Sequence, residues 1–184
     1  GLVAIQYALR VGARIIATAS DGKHEYLRGL GVELISTSRD ASQFLEEVTK
    51  MLGPGNHVDV VLNSLSDDYI SNSVALLSEK GRFVEIGKRG IWSMDAMKEK
   101  KPKAEYFIVA LDTLHQENPS EFQQLLRKVC VDFDAGRWQP LPVTVFDFAT
   151  QFKDAFRFLR LGKNIGKVAL RVSTASPSSS SLYD

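Results

Sequence analysis

Cysteine and histidine are scarce in this 184-residue sequence, and neither sign of charge is in excess. The single cysteine, Cys130, excludes an internal disulfide and any cysteine-based metal cluster. Three scattered histidines, His24, His57 and His115, would have to recruit carboxylates from distant segments to complete a four-ligand zinc site, so no metal is expected. Lys and Arg number 23 against 22 Asp and Glu, and a net charge of +1 gives no electrostatic footprint for nucleic acid or an anionic membrane. No apolar run approaches the roughly 18 residues of a membrane span, and the start lacks the basic segment of a signal peptide. The chain reads as cytoplasmic. A methionine is also lacking at the start: Gly1 opens directly into LVAIQYALRV, apolar at nearly every position from Leu2 to Val11. A helix apolar on so much of its circumference needs cover on several sides, which predicts a piece of something larger.

What is present is a regular alternation of strand and helix patterns. Arg14 to Ala19 is a short buried-strand run, and Lys23 to Leu30 reads as a helix stopped at Gly31. Val32 to Ile35 follows as a short strand, Ser42 to Leu52 has helical spacing, and Val58 to Asn63 is the strongest strand pattern. Asp68 to Leu77 is helical, Lys80-Gly81 reads as a turn, and Arg82 to Ile86 as a strand. Met94 to Lys100 is a short helix or loop, Tyr106 to Leu111 a strand, and Pro119 to Phe133 a long amphipathic helix. Strands spaced by a crossover's length predict an α/β, doubly wound Rossmann-like parallel sheet over residues 1–137. From 138 to 172 the rhythm changes to a strand, a helix over Ala149 to Arg160, and a last strand over Gly166 to Val172. The Ser-rich stretch 173–184 lacks the apolar content to fold and reads as a linker or tail.

In doubly wound folds a dinucleotide lies across the carboxyl ends of the strands, with its pyrophosphate at the first helix and its adenosine ribose at the end of the second strand. On that template LVAIQYALRV is the first crossover helix and Gly1 the last glycine of a phosphate loop whose earlier part and first strand are missing. The next strand tip is Ala19-Ser20, with Lys23 one turn on and Arg39 after the following strand, a set suited to a 2′-phosphate and so to NADPH, against which stands Asp21 beside Ser20. The alternative is that Ser20 or Asp21 caps a helix while Lys23 and Arg39 are solvated. Asn63-Ser64-Leu65 and Gly87-Lys88 leave two further strand ends and would face the nicotinamide half. Lys88 there could protonate or support a developing enolate, with Asp112 on the same rim to hold it. The plainer reading is a surface lysine and a helix-capping aspartate. The histidines read as solvated, Cys130 as a packing residue, and Asp67-Asp68 as a helix-start pair.

GLVAIQYALRVGARIIATASDGKHEYLRGLG, DVVLNSL, GRFVEIGK and AFRFLRLGKNIGKVALRV together resemble the enoyl reductase domain of type I polyketide and fatty acid synthases, within the medium-chain dehydrogenase/reductase superfamily. The resemblance implies NADPH as cofactor and an enoyl thioester on an acyl carrier protein as substrate, with hydride going to the β-carbon and a proton to the α-carbon. It implies Ser20, Lys23 and Arg39 at the 2′-phosphate, Lys88 as proton donor or oxyanion support, and Asp112 as its partner. It also implies zinc-free chemistry, neighbouring synthase domains, and a homodimer through edge strands of the cofactor domain, with the strand near Phe107 open to that use.

Against that family the substrate-binding barrel, the first strand and the early phosphate-loop glycines are missing. The segment after Pro140 would return to the barrel, leaving Phe146, Phe148, Phe152 and Phe156 partly without neighbours. The isolated chain is therefore expected to bind NADPH weakly and not to turn over. Two competing readings are a stand-alone quinone oxidoreductase of the same superfamily and a non-catalytic dimerisation scaffold.

Overall fold

A computed structural model describes residues 1–172, so the Ser-rich stretch 173–184 lies outside the described residues. Helix α1 (Leu2–Arg10) leads into β1 (Ile16–Ala19), a 3-10 turn (Asp21–Lys23) and α2 (His24–Gly29). Next come β2 (Leu34–Thr37), α3 (Ala41–Leu52), β3 (Val58–Asn63), α4 (Asp68–Leu76) and β4 (Leu77–Glu85). The chain continues through α5 (Met94–Lys100), β5 (Glu105–Ile108), α6 (Leu111–Glu117) and α7 (Pro119–Asp134), and closes with β6 (Val143–Asp147), α8 (Phe148–Arg160) and β7 (Lys167–Arg171). β1 pairs with β2, β4 lies between β3 and β5, and β6 pairs with β7, all in parallel. This is the α/β architecture that the alternating pattern predicts, with each parallel pair joined through a helix.

Side-chain alternation shows why β1 reads as a continuous apolar run. Ile15, Ala17 and Ala19 pack with Ile5 of α1 and Leu27 of α2, while Ile16 packs with Phe44 and Val48 of α3. A strand covered on both faces needs apolar residues at successive positions. β4 anchors the larger cluster, where Phe83 is buried against Ile70 and Val74 of α4, Met97 of α5 and the edge of the Tyr106 ring. The opposite face of this sheet is open, and Val60, Leu62 and Phe107 are exposed there.

β1 and β3 do not pair. A groove of about 140 Å³ separates them, lined by Ile16 and Thr18 on one side and by Val58 to Asn63 on the other. α1 is likewise open on most of its circumference: Ile5 is buried, but Val3, Tyr7, Leu9 and Val11 are exposed. The cover that its composition demands is therefore met on one face only among the described residues. A clasp holds a second, still largely exposed stripe of the helix to the segment before β6. Gln6 exchanges two hydrogen bonds with the backbone of Gln139, the Arg10 guanidinium lies 4.6 Å from the Trp138 ring, and Tyr7 stacks on the same ring.

Three sequence expectations change in detail. Lys80-Gly81 is not a turn before a strand but lies within β4, where the register to β3 breaks between the Val58–Leu77 and Val60–Arg82 pairs. The bulge forms because Leu77 is drawn fully into the core as soon as α4 ends. The strand predicted to run to Leu111 stops at Ile108, and α6 begins at Leu111. Phe146 is not stranded; it packs on Phe158 at 5.6 Å, whereas Phe148, Phe152 and Phe156 are exposed as expected. Gly166 is required where β7 begins, since a Cβ there would lie 2.1 Å from the Pro142 carbonyl oxygen.

Asp67, which precedes α4, has φ 58° and ψ −132°, and its side chain makes no capping bond to the helix. Such a conformation costs an ordinary residue about 1–3 kcal/mol. Asp67→Gly is expected to raise the stability of the chain by about 1 kcal/mol, after allowing for the greater freedom of glycine when unfolded. Urea denaturation checks this, and a lower midpoint would contradict it.

Candidate active site

The carboxyl ends of β1 and β2 stand side by side. Ala19 pairs with Thr37, and the Ser38 N–H donates to the Ala19 carbonyl at 3.2 Å. Ser20 and Arg39 thus leave adjoining strand ends. Ser20 occupies the cap position of the 3-10 turn that ends in Lys23, yet its hydroxyl makes no capping bond. Arg39 is exposed, and its Nη2 lies 3.7 Å from where a Cβ on Gly162 would sit, against the turn before β7. The end of β2 is fixed from α3: Glu47 Oε2 accepts from the Ser36 hydroxyl at 2.7 Å and from the Thr37 N–H at 3.1 Å. These bonds, the Ser36 hydroxyl first and then the Gln43 amide, hold the Glu47 carboxyl below the usual range. His24, expected to be solvated, is instead tucked under β1, with Nε2 donating to the Ala19 carbonyl at 3.1 Å. Lys23 and Arg39 thus follow the same pair of strand ends as Ser20, whose hydroxyl caps no helix. Gly1 is exposed ahead of α1, its carbonyl accepting from the Ile5 N–H at 3.0 Å.

The second half of the rim is built on β3, β4 and β5. Asn63 is buried and its side chain is consumed internally: Nδ2 donates to the Leu65 carbonyl at 2.7 Å and to Glu85 Oε2 at 2.6 Å, and Oδ1 accepts from the Leu65 N–H at 3.3 Å. What Asn63 can offer a ligand is thus the Ser64-Leu65 turn it shapes. Ser64 is exposed and Leu65 half-buried. Gly87 follows β4, and a Cβ there would lie 2.7 Å from Glu85 Oε1. Lys88 comes next, and its Nζ donates to Asp112 Oδ2, in the first turn of α6. The Lys88 hydrogen bond, followed by the Asp112 backbone N–H, holds the Asp112 carboxyl below its ordinary range. The structure thus brings Lys88 and Asp112 together across 24 residues of sequence. Sequence reasoning missed Glu85 and Glu47, both carboxylates that tie strand ends in place. The available signal for Glu85 was an acidic residue inside the otherwise apolar run FVEI.

Among the described residues no three His, Cys, Asp or Glu side chains gather as a metal site would require, so the residues present do not fit a bound zinc. No helix among the described residues is long and apolar enough to cross a membrane.

The family described as zinc-binding dehydrogenase matches residues 30–170. The chain is 37% identical over 176 residues to a phenolphthiocerol/phthiocerol polyketide synthase of Mycobacterium tuberculosis, covering 94% of this chain and 8% of that protein. Its fold superposes on the CurK enoyl reductase with a TM-score of 0.81 and 42% identity, covering 93% of this chain and 51% of that one. The nucleotide-binding subdomain of the enoyl reductase domain of PpsC from M. tuberculosis gives a TM-score of 0.65 at 35% identity, covering 76% of this chain and 78% of that one. The chain therefore spans about half of a solved enoyl reductase and a small part of a synthase polypeptide. With the α/β crossovers already in place, these likenesses establish that the chain belongs to the zinc-binding dehydrogenase family of oxidoreductases, with enoyl reductase domains of polyketide synthases among its relatives.

Proposed function

We propose that the chain is the cofactor-binding part of an NADPH-dependent reductase acting on the α,β-double bond of an enoyl thioester carried by an acyl carrier protein. The observation that carries this reading is the Lys88–Asp112 pair on the carboxyl rim of β4 and β5, beside the Asn63–Leu65 turn. A bound nicotinamide supplies hydride to the β-carbon of the substrate. Lys88 Nζ then gives a proton to the α-carbon or supports the enolate oxygen by its charge, and Asp112 keeps the amine oriented. Ser20, Lys23 and Arg39 hold the 2′-phosphate at the other end, so NADPH is preferred over NADH. Gly1, Asn63, Ser64, Leu65 and Gly87 shape the surface along which the cofactor lies.

The groove between β1 and β3 has a role in the same scheme. One more parallel strand, contributed by the intact domain, pairs with both edges there and delivers the phosphate loop to α1. The exposed faces of α1 and α8 take their cover from that domain, and the β5 edge, with Phe107 and Ile108 exposed, is the surface for a homodimer. Neighbouring synthase domains supply the acyl carrier protein.

NADPH oxidation by the full-length polypeptide, with an enoyl pantetheine thioester and a quinone compared side by side, tests the proposal. Faster turnover of the thioester is expected, with no measurable turnover by the 184-residue chain alone. Preference for the quinone, or equal thioester reduction by the isolated chain, overturns it.

A further inference from the structure

We propose that Glu85 is a positioning residue that sets the geometry of the Lys88 loop, an inference that rests on the function proposed above. Glu85 ends β4 with its side chain fully buried. Its hydrogen-bond partners among the described residues are two neutral N–H donors: Oε2 accepts from Asn63 Nδ2 and Oε1 from the Gly87 N–H, each at 2.6 Å. An apolar side chain would fill this interior position without the desolvation penalty that a buried carboxylate carries. What the carboxylate adds is direction. It accepts from two different strand-end segments at once, and charge-assisted acceptance makes both bonds strong.

The two partners are the turns on either side of the rim. Through Asn63, whose amide also donates to the Leu65 carbonyl, Glu85 fixes the Asn63–Leu65 turn. Through the Gly87 N–H it fixes the residue directly before Lys88. A Cβ at 87 would meet Oε1 at 2.7 Å, so a larger residue there would displace the carboxylate from the Gly87 N–H. The far end of the same loop is held by a second buried group. Tyr106, whose ring packs on Phe83, donates its hydroxyl to the Trp92 carbonyl at 3.0 Å. Burial first, and then the nearby Glu85, raise the Tyr106 hydroxyl above its ordinary range. Residues 86–93 therefore span two buried anchors, with Lys88 between them and its amine on Asp112.

The test is Glu85→Gln in the full-length polypeptide. Glutamine has the same shape, but whichever way its amide turns, its NH2 faces either the Asn63 NH2 or the Gly87 N–H, and one brace is lost. The expected result is a cooperative melting transition that is retained, lowered only modestly for the lost bond, a KM for NADPH within about twofold, and kcat for enoyl thioester reduced at least about tenfold by misplacement of the reacting group. A second readout does not depend on turnover. Pulse acetylation with acetic anhydride, followed by mass spectrometry, should show Lys88 labelled at least about threefold faster relative to Lys98 in the variant, because its amine is held less firmly on Asp112. Glu85→Asp, which keeps the charge but retracts it by one methylene, should move kcat and labelling in the same direction. If the unchanged protein does not reduce the thioester, the proposed function fails while the labelling ratio still decides the role of Glu85. An unchanged kcat together with an unchanged labelling ratio overturns the proposal. So does loss of the cooperative melting transition in both variants, which would make Glu85 a brace of the fold alone.

Discussion

Lys88→Ala in the full-length polypeptide is expected to lower kcat for enoyl thioester reduction by about 10²–10⁴, the range a positioned proton donor contributes. KM for NADPH should change little, because Ser20, Lys23 and Arg39, the residues proposed for the 2′-phosphate, follow β1 and β2 at the other end of the rim. Lys88→Arg separates the two roles open to the lysine. Arginine keeps the charge but does not release a proton near neutrality, so it preserves rate if Lys88 supports the enolate oxygen and fails if Lys88 is the donor. The partner pair also fixes the sign of the acid response. The carboxyl of Asp112 is depressed below its unfolded value, first by the Lys88 hydrogen bond, so the pair is intact above the ordinary aspartate range and is lost as pH falls through the lower folded value. Activity that depends on the pair should therefore persist at neutral pH and decline only in acid. An unchanged rate and unchanged product in Lys88→Ala would remove the residue from the mechanism.

A second large effect is expected at the opposite end of the site. Ser20→Asp combined with Lys23→Glu should reduce the preference for NADPH over NADH by about 10² or more, since each charge-assisted hydrogen bond to the 2′-phosphate contributes about 1.5–3 kcal/mol and about 1.4 kcal/mol is a factor of ten. The lower end applies because Lys23 and Ser20 are only half-buried and water screens them. The new aspartate would also accept from a ribose hydroxyl and so favour NADH directly. The readout is the ratio of kcat/KM for the two cofactors; a ratio that does not move retires the phosphate assignment. Because the Ser20 hydroxyl makes no capping bond, its replacement removes no helix-capping interaction, and the effect on folding should be small.

β1 was legible in the sequence because covering a strand on both faces leaves an apolar run. Val58 to Asn63 and Met94 to Lys100 have the bounds that composition and turn residues predict. α6 was not legible, since its seven residues begin after Ala110 without a side-chain cap and show no strong apolar stripe. The β4 bulge was hidden because Lys80-Gly81 carries the same residues as a true turn, and only the burial of Leu77 decides between them. At the site, Lys88 and Asp112 were found by placing strand ends on one rim, a matter of topology. Glu85 was missed for a physical reason: its role lies in two hydrogen bonds to segments 2 and 22 residues away, which no local periodicity encodes. Asn63, read as facing the cofactor, turns its side chain to Leu65 and Glu85 for the same reason.

Where the two hydrogens go decides whether this rim carries out enoyl reduction. The most direct measurement is a single-turnover reaction of the full-length polypeptide with an enoyl pantetheine thioester and NADPH deuterated at the transferable position, with the saturated product read by mass spectrometry and NMR. One deuterium at the β-carbon, and a solvent-derived hydrogen at the α-carbon whose delivery slows in Lys88→Ala, is the predicted result. No deuterium in the thioester, or deuterium found instead only in a reduced quinone, would contradict it.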